Sequence, residues 1–479
     1  MDSEQFDLIV IGSGPAGEKG AAQAAYFGKK VALIEGKRVV GGTAANTGTL
    51  PSKTLRETAL FLSGYRNRDL SGLNVSLKHQ VTIRDFMRHE LAVTAIERLR
   101  IQENLNKHRV VFVEGIASFA DPHTVAVTCA DGTTRQLRGE VILIAVGSTP
   151  HRPPIYPFDD HRVWDSDEIL NIQQMPASML VVGGGVIGCE YACMFAILGI
   201  NVTLIEQRGR VIGSLDGEIA ATLQSQMETM GIKFHFNDSV DRVEAGRVID
   251  VRLKSGAVLE TESILVSSGR DGKVKGLGLD RVGIEADARG AIKVNAHYQT
   301  TLPHVYAAGD VIGSPALAST AMDQARVAMV HAFDLKYRGD VARILPYGIY
   351  TIPECSMAGD TEEALKQKGI PYVAGRATYA NNARGRIIGD DKGFLKLLFA
   401  LDDMKLLGVH VIGEQATELV HVGLTALLAG QTADLFIETC FNYPTLTELY
   451  KYAAYDALGC RAAKLRDQAK AIAGVPEAC

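Results

Sequence analysis

Short, unbroken apolar runs, each closed by glycines and followed by a small-residue stretch of helical period, mark two places along this chain. Residues 6–11 form one such run, Gly12-Ser13-Gly14-Pro15-Ala16-Gly17 follows at once, and an alanine-rich stretch leads to Phe27. A continuous apolar run of this length predicts a strand buried on both faces, and the alanine-rich stretch predicts a helix packed on it. A second apolar run, residues 31–34, ends in Glu35. The same order returns at residues 179–182, Gly183-Gly184-Gly185-Val186-Ile187-Gly188, a helix to Leu198, and a strand, residues 202–205, ending in Glu206. The two copies lie about 170 residues apart, too far for a short solenoid repeat and suited to a duplicated domain.

Each copy predicts a dinucleotide site. Gly12 permits the tight turn, Gly14 removes a side chain where a pyrophosphate must approach, and Gly17 lets the helix pack on the strand; Gly183, Gly185 and Gly188 repeat the pattern. Glu35 and Glu206 stand where a carboxylate accepts hydrogen bonds from a ribose diol. Beside Glu206, a 2′-phosphate would meet a like charge, which favours NAD. Arg208 and Arg210 follow immediately, and arginine binds phosphate well in bidentate geometry. The two arginines are also open to a reading as solvated surface charges. Together with Glu206 they predict a site that takes both NAD(H) and NADP(H).

Composition narrows the class. The 479 residues suffice for several domains, and 47% hydrophobic with 22% charged residues is ordinary for a globular chain. A net charge of -5 without a basic cluster gives no footprint for nucleic acid. The apolar stretch at residues 179–200 is interrupted by Glu190 and the glycine loop, so a strand-turn-helix explains it better than a membrane span. With no recognisable signal peptide, a cytoplasmic protein without membrane attachment is expected. Seven cysteines without paired metal spacing argue against a disulfide framework and against a metal site. Cys189 and Cys193, one helical turn apart, read as small packing residues, and Cys479 as an incidental terminal thiol.

Further segments carry a resemblance. They are Gly41-Gly42-Thr43 with Asn46, Gly48 and Pro51-Ser52-Lys53; residues 142–148, ending in Gly147-Ser148; residues 301–310, ending in Gly309-Asp310; and residues 317–324, 348–354 and 407–413. In this order they resemble the pyridine nucleotide-disulfide oxidoreductases. The resemblance covers essentially the whole chain. It implies an α/β fold with two Rossmann-like dinucleotide-binding domains, glutathione reductase-like, plus a C-terminal α+β dimerisation domain. The FAD-binding domain would take residues 1–150 and 270–340, the NAD(P)-binding domain 151–269, and the dimerisation domain 341–479. FAD would lie against Gly12, Gly14, Gly17, Glu35, Gly42, Thr43 and Gly147, with Asp310 on the ribityl chain. A helix starting near Ala318 would face the pyrimidine edge. Lys53 and Glu190 would pair beside the reacting end of the flavin, and the chain would form a homodimer or a higher homo-oligomer.

Two departures from the family matter. Where the family carries two redox cysteines, this chain has Ala44 and Thr49. Where the family has the histidine that serves as thiol base, before Pro444 and Glu448, this chain has Tyr443. A methyl group and a hydroxyl cannot perform thiol-disulfide exchange, and a tyrosine with an ordinary pKa of ~10 is a poor base at neutral pH. Loss of thiols and base together is self-consistent. With Thr49 and Asn442-Tyr443-Pro444-Thr445, the chain is similar to the soluble, Si-specific pyridine nucleotide transhydrogenases, although those generally keep one cysteine where Ala44 stands. Mercuric reductases need cysteine pairs that do not occur here. The resemblance implies ping-pong hydride transfer between NADPH and NAD⁺ by way of FAD. An NAD(P)H:quinone or dye reductase is the second reading, and a flavoprotein scaffold or degenerate subunit the non-enzymatic one.

Overall fold

The computed structural model describes residues 4–65, 82–337 and 339–472; Cys479 lies outside them. The chain divides into two compact units. One comprises Met1–Thr58, Thr82–Met175 and Leu265–Ala342; the other comprises Ala59–Val81, Pro176–Ile264 and Arg343–Cys479.

In the first unit the opening apolar run is the strand Glu4–Ile11, parallel to both Val31–Glu35 and Thr134–Ile144, which flank it. Val111–Glu114 extends the parallel set beyond Val31–Glu35, and Val305–Ala307 pairs with Thr134–Ile144. A parallel sheet needs cover on both faces, and alternation along the first strand provides it. Leu8 and Val10 pack with Leu33, Leu143, Ile101, Leu105 and Met329. Ile9 and Ile11 pack with Ile34, Ile142, Ile144 and Phe119 on the other side. Each such buried side chain contributes about 1.5–3 kcal/mol. The helices Pro15–Tyr26, Ile83–Lys107 and Ala318–Ala332 cover the first face.

In the second unit the repeat of the motif gives the parallel strands Ser178–Val182, Asn201–Glu206 and Lys233–Phe236, with the helix Val186–Ile197 after the glycine loop. The C-terminal part forms a five-stranded antiparallel sheet from Tyr347–Ile349, Cys355–Gly359, Leu406–Ile412, Phe394–Ala400 and Tyr372–Thr378, in that spatial order. Helices Ala416–Leu428 and Leu449–Ile472 pack against this sheet around Phe399, Val409, Val420 and Tyr450. Two sheets whose parallel strands bear glycine loops, the first with an added antiparallel pair, and a helix-covered antiparallel sheet make the α/β architecture expected.

One strand carries a buried charge. The Lys396 side chain is 1% exposed, and its ammonium lies 2.7 Å from Asp216, 3.0 Å from Glu218 and 2.5 Å from Glu362. Burial opposes the charge, but the hydrogen bonds that the ammonium donates to Asp216 and Glu362 outweigh it and raise the lysine pKa. Asp216 also caps the helix Gly217–Thr229 through the Glu218 amide. The three carboxylates meet as closely as metal ligands would, and the ammonium sits among them as their counter-ion.

Candidate active site

The two glycine loops repeat one another bond for bond. Gly12 N–H donates to Ile34 O at 2.8 Å, and Gly183 N–H to Ile205 O at 2.9 Å; the two glycines have φ of 103° and 101°. Glu35 Oε2 accepts from Ser13 N–H at 3.0 Å and Oε1 from Lys37 N–H at 3.0 Å. Glu206 Oε2 accepts from Gly184 N–H at 2.6 Å and Oε1 from Arg208 N–H at 2.8 Å. Each acid therefore braces its own loop as well as standing at the end of its strand. Gly14 and Gly185 are the N-caps of the helices that follow, without a side-chain cap in either case. No side chain caps either first turn, whose N–H groups begin only at Ala16 in the first helix because Pro15 has none, the arrangement of a helix N-terminal anion site.

The first loop opens on a cavity of about 450 Å³, a size typical of cofactor sites at ~300–1,000 Å³. Its walls include Gly12, Gly14, Glu35, Gly42, Thr43, Gly147, Asp310 and Ala318 from the sequence expectation, and also Ala44 and Thr49. Gly17 is not on the wall: it seats the helix against Gly12. Ala318 begins the helix Ala318–Ala332, whose N-cap Leu317 offers no side-chain cap. Lys53 lies on the helix Thr49–Leu62 and donates to Ser52 Oγ at 3.3 Å.

Sequence reasoning missed the residues that hold Asp310. Ser148 Oγ donates to Asp310 Oδ2 at 2.8 Å and accepts from Arg270 Nε at 2.9 Å, and Arg270 Nη1 reaches Asp167 at 2.8 Å. Lys37, Lys273 and Lys275 add positive charge to the wall. The available signal was that Arg270 follows Gly269 as Ser148 follows Gly147; the two segments pair antiparallel, with Asp271 opposite Thr149.

In the second unit Glu190 is buried on the helix Val186–Ile197 and accepts from Tyr350 N–H at 2.9 Å. Arg208 is exposed, whereas the Arg210 guanidinium is engaged by Gly213 O at 2.8 Å, Leu215 O and Glu363. The structure thus separates two arginines that the sequence treats alike. Cys189 and Cys193 are buried, and burial pushes the Cys189 thiol well above its ordinary pKa, which leaves it inert. Tyr443 is 76% exposed in the single chain. Glu448 closes a capping box with Thr445.

Residues 6–325 match the family model described as pyridine nucleotide-disulphide oxidoreductase, and residues 345–454 match the dimerisation domain of the same proteins. The chain belongs to the pyridine nucleotide-disulphide oxidoreductases. A relative in this family, named soluble pyridine nucleotide transhydrogenase, from Mycobacterium bovis, is 43% identical, with 95% of this chain and 97% of that protein covered. Another of the same name, from Colwellia psychrerythraea, is 39% identical over 95% of this chain and 98% of its own. The crystal structure of LpdA from Mycobacterium tuberculosis superposes with a TM-score of 0.87 at 25% identity, covering 94% of this chain and 99% of that one.

Pyridine nucleotide-disulphide oxidoreductases are FAD-dependent, and the chain is an oxidoreductase flavoprotein acting on nicotinamide nucleotides. Its dimerisation domain supports a homo-oligomer. The first cavity fits FAD on its own evidence: a Cβ on Gly14 would meet only Gly42 Cα, at 3.8 Å, so the space beside it is kept open on the cavity side. Among the described residues no helix is long and apolar enough to cross a membrane.

Proposed function

We propose that this chain is a cytoplasmic, FAD-dependent NAD(P) transhydrogenase that moves hydride between NADPH and NAD⁺ without a redox disulfide. The observation that carries the reading is the position of Ala44 and Thr49 on the cavity wall. These are the places where the family's dithiol would stand beside the cofactor, and no cysteine lies in residues 41–53. Relatives named as transhydrogenases, alike over 95% of the chain, support it further.

FAD, when bound, supplies a two-electron carrier between one nucleotide and the next. The chain's own residues set the terms. Gly12 makes the tight turn with its amide on Ile34 O, Gly14 leaves room for the pyrophosphate on a loop held by Gly17 packing, and Glu35 would receive the ribose. Gly42, Thr43 and Gly147 shape the wall, and Asp310, steadied by Ser148 and Arg270, would hold the ribityl chain. The helix N-terminus at Ala318, on the cavity wall, carries roughly half a positive charge and would favour negative charge on the bound cofactor. Lys53 would supply a cation toward the reacting end, and Glu190, held by the Tyr350 amide, a carboxylate. Gly183, Gly185, Gly188 and Glu206 bind the nicotinamide nucleotide, and Arg208 admits a 2′-phosphate. Donor and acceptor use this site in turn, which is why it takes NAD(H) and NADP(H) alike. The FAD domain would comprise 1–150 and 270–340, the nucleotide domain 151–269, and the dimerisation domain 341–479.

The test is anaerobic turnover of NADPH with a chromophoric NAD⁺ analogue, and separately with a quinone. Reduction of the analogue is expected. Turnover with the quinone alone would replace this reading with a quinone or dye reductase.

A further inference from the structure

We propose that Glu363 sets the preference of the second nucleotide site between NADP(H) and NAD(H), by competing with the 2′-phosphate for the guanidinium of Arg210. The proposal rests on the reading of Glu206, Arg208 and Arg210 as the ribose end of that site. Arg210 closes the loop after Glu206: Nη2 donates to Gly213 O at 2.8 Å and to Leu215 O at 3.3 Å, and Nη1 to Glu363 Oε1 at 3.3 Å. The same Glu363 oxygen accepts from Gly217 N–H at 3.0 Å. Its other oxygen is buried without a hydrogen-bond partner. A carboxylate so placed is not a mobile surface group. The next residue back, Glu362, is tied to Lys396 through its side chain and to Asp216 Oδ2 through its amide at 3.2 Å. The helix Glu362–Lys368 therefore holds Glu363 against the loop from outside the glycine motif.

A 2′-phosphate reaching for Arg210 meets a guanidinium that already has an anionic partner, and it brings close to two negative charges of its own. A nucleotide without that phosphate does not enter the competition. Glu363 would thus tilt the site toward NAD(H) and offset part of the gain from Arg208. Because both partners are partly exposed, with side chains 38% and 42% accessible, water screens the pair and the tilt is moderate.

The experiment is equilibrium binding of 2′,5′-ADP and of 5′-ADP to the flavin-loaded, full-length protein and to Glu363→Gln, Glu363→Asp, Arg210→Gln and the double variant Glu363→Gln/Arg210→Gln. Glu363→Gln is expected to tighten 2′,5′-ADP about three- to ten-fold relative to 5′-ADP. Glu363→Asp, which keeps the charge, should retain the wild-type ratio, and the gain should vanish in the double variant. An equal change for both ligands, or a gain that survives without Arg210, overturns the proposal. If Glu363→Gln does not fold, Arg210→Gln decides: it must weaken 2′,5′-ADP more than 5′-ADP, and equal weakening refutes the competition. Failure of both ligands to bind the wild-type protein would remove the nucleotide-site reading itself.

Discussion

Gly17→Ala and Gly14→Ala, in one loop, should fail for different physical reasons. A Cβ on Gly17 would stand 1.8 Å from the carbonyl oxygen of Gly12 and 2.9 Å from its carbon, whereas ordinary contact begins at 3.4 Å. Both obstacles are backbone, so the helix Pro15–Tyr26 must retreat by about 1.6 Å from a close-packed strand. Overpacking costs about 1–3 kcal/mol when side chains absorb it, and a backbone collision belongs at or beyond the top of that range. Gly14 differs: its φ of -65° suits alanine and its Cβ would meet only Gly42 Cα at 3.8 Å. The apoprotein should keep its stability within about 0.5 kcal/mol. On the proposed reading, however, its methyl group would intrude on the space the pyrophosphate needs. Losing one charge-assisted hydrogen bond there costs about 1.5–3 kcal/mol, a rise in FAD Kd of roughly 10- to 150-fold. Urea unfolding of the apoproteins by circular dichroism and FAD titration by flavin fluorescence separate the two. Wild-type FAD affinity in Gly14→Ala, or wild-type stability in Gly17→Ala, would refute the assignment.

Three further outcomes are expected. Lys396→Met should cost about 3–5 kcal/mol at pH 7 in urea melts, because it strands the buried Asp216 carboxylate beside two partly exposed ones. Burial would raise Asp216, Glu218 and Glu362, yet Lys396 and neighbouring donors hold all three below their ordinary values of 3.8, 4.5 and 4.5. Groups with depressed folded pKa values contribute stability above their unfolded values and lose it as pH falls through the folded ones. The wild-type advantage should therefore shrink below about pH 4, and a deficit that is constant with pH would contradict the cluster's role. Arg208→Ala should raise KM for NADPH several-fold more than for NADH, and equal effects would remove Arg208 from nucleotide selection. Ala44→Cys should change transhydrogenase turnover by less than about two-fold, since one thiol cannot form a relay; a large gain in steady-state rate would show that the position takes part in electron transfer.

Both glycine loops and their acids were legible in the sequence because their physics is local: a strand, a turn that needs positive φ, and a helix, all within thirty-odd residues. What escaped is long-range. Lys396 sits in a run, Phe394-Leu395-Lys396-Leu397-Leu398-Phe399, that reads as an apolar strand, and nothing in it announces a carboxylate 180 residues earlier. Ser148 and Arg270, which steady Asp310, come from segments 122 residues apart. Arg208 and Arg210 look equivalent in sequence, and only the carbonyls of Gly213 and Leu215 with Glu363 set them apart. Glu35 and Glu206 were read as ribose acceptors, and the structure adds that each is also the brace of its loop.

In the proposed transhydrogenase, electrons leave by the nicotinamide face through which they enter, because Ala44 and Thr49 provide no second acceptor. Anaerobic titration of the flavin-loaded protein with NADPH, followed by NAD⁺, tests it directly. The expected result is an endpoint of about two electrons per FAD and full return of the oxidised spectrum on adding NAD⁺. An endpoint of about four electrons would reveal a thiol pair in communication with the flavin, and a spectrum that NAD⁺ cannot restore would show that nucleotide exchange is not the exit; either result would refute transhydrogenation without a disulfide.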